Sequence, residues 1–177
     1  HEGSLRQSCA DSLGYLRSPR AVGPLIEALK TEKNYQCRSS YVSALGLIGN
    51  RDAIPALKAR MEQVDEIEFV RSGAALALAR LGDASGRPHL VRNIESRLPG
   101  LQIVGMNGLA QLNEPFLAGY LNAALESGYD EVWTSAVYLF PRLGPMRALP
   151  ILRTRLESPQ EVLRRRAALA MGFLGSD

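Results

Sequence analysis

Histidine, cysteine, lysine and tryptophan are scarce in this chain of 177 residues. The two histidines, His1 and His89, offer one His-Glu pair, His1-Glu2, so no recurring His/Glu set is present to hold a metal. Cys9 and Cys37 are too few for a disulfide framework, which favours a reducing, cytoplasmic setting. Both thiols read as buried apolar side chains. No apolar run approaches the roughly 20 residues of a membrane span, and the start His1-Glu2-Gly3-Ser4 is polar, with no signal-peptide pattern visible in it. No Gly-x-Ser-x-Gly, phosphate loop or Cys-x-x-Cys occurs, so familiar hydrolase, nucleotide and redox motifs are excluded.

What is present is globular: 46% hydrophobic and 22% charged residues. The formal net charge is +3, and only Lys30, Lys33 and Lys58 among the bases are lysines. From Phe140 onward seven arginines face three acids, giving +4 there and −1 for the rest. Arg147, Arg153, Arg155 and the run Arg164, Arg165, Arg166 are therefore candidate contacts to an anionic partner, nucleic acid included.

One pattern runs the whole length. Arg6, Arg38, Arg71, Gln102, Trp133 and Arg164 occupy the same position in six copies, 32, 33, 31, 31 and 31 residues apart. With this anchor numbered zero, position +7 is apolar in every copy (Leu13, Leu45, Leu78, Leu109, Phe140, Met171), and so is +10 (Leu16, Ile48, Leu81, Leu112, Leu143, Leu174). These offsets lie on one face of a helix. Position +8 is small in most copies, with Gly14, Gly46, Ala79, Ala110 and Gly172, so a neighbouring helix can approach closely. Leucine at Gly46 or Gly172 should then overpack. Position +11, filled by Gly49, Gly82, Gly144 and Gly175 with Asn113 in a fifth copy, suits the left-handed residue that ends a helix, whereas the first copy has Arg17 there. A second helix follows, opened by the aligned prolines Pro24, Pro55, Pro88 and Pro150, with Gly119 in the fourth copy. Asp52 and Ser85 are candidate N-caps.

The expected fold is all-α: a right-handed α-solenoid of about five and a half hairpins and eleven helices. The units run about 4–33, 34–66, 67–99, 100–128 and 129–159, with a half-unit at 160–177, as a single array. The exposed edge at Met171 and Leu174 suggests a longer array or end-to-end association with another chain.

The stretch Arg38…Ala44-Leu45-Gly46…Ile48-Gly49…Pro55, with Arg164…Ala167-Ala168…Gly172…Leu174-Gly175, resembles the HEAT-like repeat, in particular its short variety named after phycobilisome (bilin) lyases. The resemblance spans essentially the whole chain and is specific for fold. It implies a solenoid, and through the lyases a tetrapyrrole partner. Deoxyhypusine hydroxylase has similar repeats, but its recurring metal-holding His-Glu pairs are missing.

Three functions follow as expectations. The first is a non-enzymatic scaffold or interaction module, binding a protein or peptide on the concave face of the second helices through His89, Arg92, Tyr120, Asn122 and Arg153, with Trp133 as a further contact where other copies keep an exposed arginine. On this reading there is no catalytic residue, metal or cofactor. The second is a subunit of a bilin lyase-like enzyme. The third is a nucleic-acid-binding array. Units four and five depart most from the pattern, at Gln102, Gly119, Trp133 and Pro141, which should kink its helix. The carboxylates Glu62, Asp65, Glu66 and Glu68 read as a solvated turn between repeats.

Overall fold

The computed structural model describes residues 2–175, and every regular element among them is helical. The helices are α1 (Glu2–Tyr15), α2 (Val22–Thr31), α3 (Tyr35–Ile48), α4 (Ile54–Glu62), α5 (Glu68–Arg80), α6 (Arg87–Ile94), α7 (Pro99–Gln111), α8 (Leu117–Ala124), α9 (Asp130–Leu143), α10 (Pro145–Leu156) and α11 (Glu161–Leu174). The odd-numbered helices are the first helices of the hairpins, and the architecture is an α-solenoid. The chain divides into two compact units, the first ending at Arg92 and the second beginning at Asn93.

In the first unit α3 packs between α1 and α5, with α2 against α3 and α4 against α5. The small residues set the spacing. A Cβ on Gly14 would lie 2.9 Å from Ala44 Cα, and one on Gly46 would lie 2.8 Å from Ala77 Cβ. Backbones this close admit no side chain at +8. A 3-10 turn precedes each second helix, at Pro19–Ala21, Arg51–Ala53 and Ala84–Gly86. The caps sit on these turns rather than on the helices. Asn50 Oδ1 accepts from Asp52 N and Asp83 Oδ1 from Ser85 N, so Asn50 and Asp83, not Asp52 and Ser85, are the capping residues.

In the second unit α9 packs between α7 and α11, while α8 lies against α7 and α9 and α10 against α9 and α11. Phe140, Leu109, Leu121 and Leu152 are fully buried there. Helix α9 continues through Pro141 to Leu143, and Gly144 with φ 74° then opens α10 directly at Pro145.

Position +11 has positive φ in five copies, 82° at Gly49, 72° at Gly82, 74° at Gly144, 53° at Asn113 and 48° at Arg17, whereas Gly175, also expected to be left-handed, has φ −100°. Arg17 thus performs the turn without the glycine that makes it easy.

Some expectations fail at the outer first helices. Leu16, just past the end of α1, is exposed rather than core, as is Leu5 on α1, because among the described residues no helix covers that side of α1. Cys9 is exposed on the same helix, whereas Cys37 is buried. A Cβ on Gly172 would meet nothing within 4 Å, so leucine there has room, contrary to the expected overpacking. Among the described residues no helix is long and apolar enough to cross a membrane.

Candidate functional site

The recurring anchor has a structural task. A helix leaves its last carbonyls without partners, and its C-terminal end attracts positive charge. In the first unit Arg38 donates to the carbonyls of Glu32 and Lys33 at the end of α2, and Arg71 Nε donates to Met61 O at the end of α4. Arg164 does the same in the second unit, reaching Ser158 and Pro159 beyond α10. The anchor arginine is therefore a cap carried by the next hairpin.

Around Arg38 this cap grows into a buried charge cluster. Glu66 accepts from Arg38 Nε and Nη2 at 2.7 Å each, from Arg60 Nη1 at 3.0 Å and from the Ile67 N–H at 2.9 Å. Its side chain is 1% exposed, so one member of the supposedly solvated acidic turn is a buried hub. Burial alone would raise the Glu66 pKa; the Arg38 hydrogen bonds, the Ile67 N–H and Arg60 outweigh it and hold the carboxyl below its ordinary value. No local spacing announces this hub, since its arginines come from two other helices.

The second unit lacks two of the three anchors. Trp133 cannot cap α8, and Arg166 takes over from the next hairpin, its Nη1 donating to Leu125 O at 2.6 Å and Ser127 O at 3.0 Å. The same guanidinium lies over the Trp133 ring, 4.5 Å from its centroid, a cation–π contact. Trp133 Nε1 donates to Asp130 on the same helix, and the half-buried ring makes its cross-repeat contact through Arg166. The signal was in the sequence. Position +2 is Ser8, Ser40, Gly73, Val104 and Ser135 in the other copies, and arginine only at Arg166.

At Gln102 no substitute arrives. The amide reaches one carbonyl, Ser96 O at 2.6 Å, and the space beside it remains a cleft of about 290 Å3. Ile94, Met106, Val132, Ala123 and Ala124 supply apolar walls, while Gln102, Tyr120, Glu126 and Ser127 supply polar groups. The Tyr120 hydroxyl donates to Glu95 Oε1 at 3.0 Å, and that hydrogen bond raises the phenol pKa. Glu126 pairs with Arg155 Nη1 at 2.6 Å. The cleft lining carries acceptors and no cationic side chain among the described residues.

The residues expected on the second-helix face are distributed as follows. Tyr120 lines the cleft. Asn122 accepts from Arg155 Nε at 2.6 Å, so it positions that arginine. Arg153 is exposed on α10. In the first unit Arg92 is exposed, and His89 is half-buried with its Nδ1 shielded and unbonded. Burial first, then Arg92 and Arg71, lower the His89 pKa and favour neutral imidazole. Gln102, which expectation treated only as a departure, shapes the cleft.

The basic set does not form a phosphate stripe. Arg147 donates to Leu143 O, while Arg155, Arg164 and Arg166 hold Asn122 and helix ends. Arg153 and Arg165 are exposed. No group of three or more His, Cys, Asp or Glu side chains suited to a metal occurs among the described residues, and His1 of the His1-Glu2 pair lies outside them.

Comparison with known proteins assigns the repeat. A model of HEAT repeats matches residues 2–67 and 24–101. The chain belongs to the HEAT-repeat family. Its HEAT-like repeats are of the short type found in phycobilisome lyases. The phycocyanobilin lyase subunit alpha of a Picosynechococcus sp. is 34% identical over 175 residues, 97% of this chain and 56% of that protein. The subunit of the same name from Thermosynechococcus vestitus is 33% identical over 171 residues, 97% of this chain and 54% of that protein. The complex of CpcE and CpcF of phycocyanin lyase from Nostoc sp. PCC7120 contains a similar chain, with TM-score 0.60 and 27% identity over 97% of this chain and 72% of that one. This HEAT-repeat chain thus spans about half the length of the curated relatives it matches. The expectation of a non-enzymatic scaffold is overturned by these matches: proteins similar along nearly all of the chain are named as lyase subunits. Repeat periodicity reports architecture and is blind to that difference.

Proposed function

We propose that this chain serves as a subunit of a bilin lyase-like enzyme, holding a tetrapyrrole chromophore beside a second protein. The carrying observation is that similarity to lyase alpha subunits extends over 97% of the chain rather than over an isolated repeat. The chain's contribution is binding and orientation. Its cleft joins an apolar floor to a few polar groups, the usual character of a small-molecule site.

The second protein is a partner subunit, as CpcE stands in complex with CpcF in the similar structure. Exposed Arg92 and Arg153, with half-buried His89 and Tyr120, are our candidates for its contact surface, each within its own unit. The free thiols of Cys9 and Cys37 accord with a reducing, cytoplasmic setting.

The test is reconstitution of chromophore attachment. The intact protein, a CpcF-type partner, phycocyanobilin and apo-phycocyanin are combined, and covalently bound bilin is followed by fluorescence of the acceptor band after denaturing electrophoresis. Attachment that disappears when this protein is omitted is expected. Equal attachment with and without it would contradict the reading.

A further inference from the structure

We propose that the cleft beside Gln102 receives one end of a linear tetrapyrrole, whose pyrrole and lactam N–H groups donate to Gln102 and Glu126 while its conjugated rings lie on Ala123, Ala124 and the Tyr120 ring. The assignment rests on the lyase-like reading above and adds where on this chain the chromophore sits. It starts from a defect in the repeat. Elsewhere the anchor arginine fills the space at the end of the preceding second helix, and at Trp133 an arginine from the next hairpin fills it instead. At Gln102 the shorter amide leaves it open.

The polar groups that face this opening are unspent acceptors. Gln102 uses Nε2 on Ser96 O, leaving Oε1. Glu126 gives Oε1 to Arg155, leaving its second oxygen. Tyr120 gives its proton to Glu95, so its oxygen can accept. A guest must therefore bring donors, and it must also cover the apolar surface of Ala123, Ala124 and the Tyr120 ring, beneath which Met106 and Val132 are buried. An arginine side chain from a peptide would supply donors and leave that surface bare. A linear tetrapyrrole supplies a row of N–H donors on a flat apolar frame, and its carboxylates suit Arg155 at the rim. At about 290 Å3 the cleft lies at the lower end of the ~300–1,000 Å3 typical of ligand sites, which fits one end of the molecule.

Biliverdin is the probe, titrated into the intact protein and read by its visible absorbance and by quenching of Trp133, the only tryptophan, whose neighbour Val132 lines the cleft. Two variants fill the space. Ala123→Leu adds bulk from an exposed position on α8, and Gln102→Arg restores the repeat's own cap. Saturable binding by the unaltered protein is expected. Each variant should weaken it at least about tenfold, with the melting temperature kept by Ala123→Leu and kept or raised by Gln102→Arg. No saturable binding, equal binding by both variants, or binding of an arginine-rich peptide in preference to biliverdin would overturn the assignment. If attachment in the reconstituted system continues while Ala123→Leu binds biliverdin normally, the site is wrong and the lyase-like reading stands. If biliverdin binds in the cleft but attachment never depends on this protein, the reverse holds.

Discussion

In the unit ending at Arg92, both second helices that lead into an anchor, α2 and α4, are capped by that anchor's arginine. In the unit beginning at Asn93, only α10 is capped in this way. There α8 borrows Arg166 from one hairpin further on, and past the end of α6 Gln102 reaches Ser96 O where other copies place an arginine. The first unit also concentrates its charge in a buried cluster around Glu66, whereas the pair at the cleft rim, Arg155 with Glu126, has its carboxylate side chain 54% exposed. One region shows what the repeat needs in order to stand. The other shows what it tolerates losing, and the loss leaves an opening with a chemistry of its own.

The sharpest way to break this comparison is at Glu66. Replacing it with alanine strands Arg38 and Arg60, whose side chains are only 14% and 12% exposed, and should cost about 3–5 kcal/mol. Denaturant unfolding measures it, and a cost comparable with that of Glu126→Ala would erase the contrast. Acid should find the same weakness. Glu66, Glu32 and Asp83, all in the first unit, have lowered pKa values, Asp83 to about 2 through the Ser85 hydroxyl and Lys58. Depressed folded values mean that their stabilisation is complete above the unfolded carboxylate range, near 4.5 for glutamate, and is lost as pH falls through the folded values. Amide exchange between pH 5 and 3 should therefore accelerate in the first unit before the second.

The glycines give a smaller contrast. Gly46→Leu must displace Ala77 and should destabilise by about 1–3 kcal/mol, whereas Gly172→Leu should change stability by no more than about 0.5 kcal/mol. Equal losses at the two positions would show that +8 glycines serve something other than close approach. Thermal melts of the two variants suffice.

How much of this could be read from the chain follows the same division. The period, the helices and most of the positive-φ turns at +11 depend on offsets within one copy, and they were legible at Gly49, Gly82, Asn113 and Gly144 but not at Arg17, where no glycine marks the turn. The Glu66 hub, the Arg166 cap and the Gln102 cleft arise from side chains that meet across copies, 28 residues apart for Arg38 and Glu66 and 41 for Arg166 and Leu125. A single-copy pattern cannot show which arginine reaches which carbonyl. It does show where a copy breaks the rule, and Gln102 and Trp133 were visible in that sense. One became an opening and the other was repaired from outside; the lone arginine at +2, Arg166, hinted at the repair, and the structure shows which carbonyls it reaches. The proposed activity lay beyond both, because lyase subunits and inert scaffolds share the repeat.

The most direct measurement of the anchor's role is a double-mutant cycle on the repaired position. In the native background Arg166→Ala removes two charge-assisted hydrogen bonds to carbonyls and the contact over Trp133, and should cost about 1.5–3 kcal/mol by denaturant unfolding. With Trp133→Arg the repeat's own cap is restored. In that background the same Arg166→Ala change should cost less than about 0.5 kcal/mol, because the end of α8 no longer depends on the borrowed guanidinium. An equal cost in both backgrounds would contradict the account, since Arg166 would then not be standing in for the missing anchor.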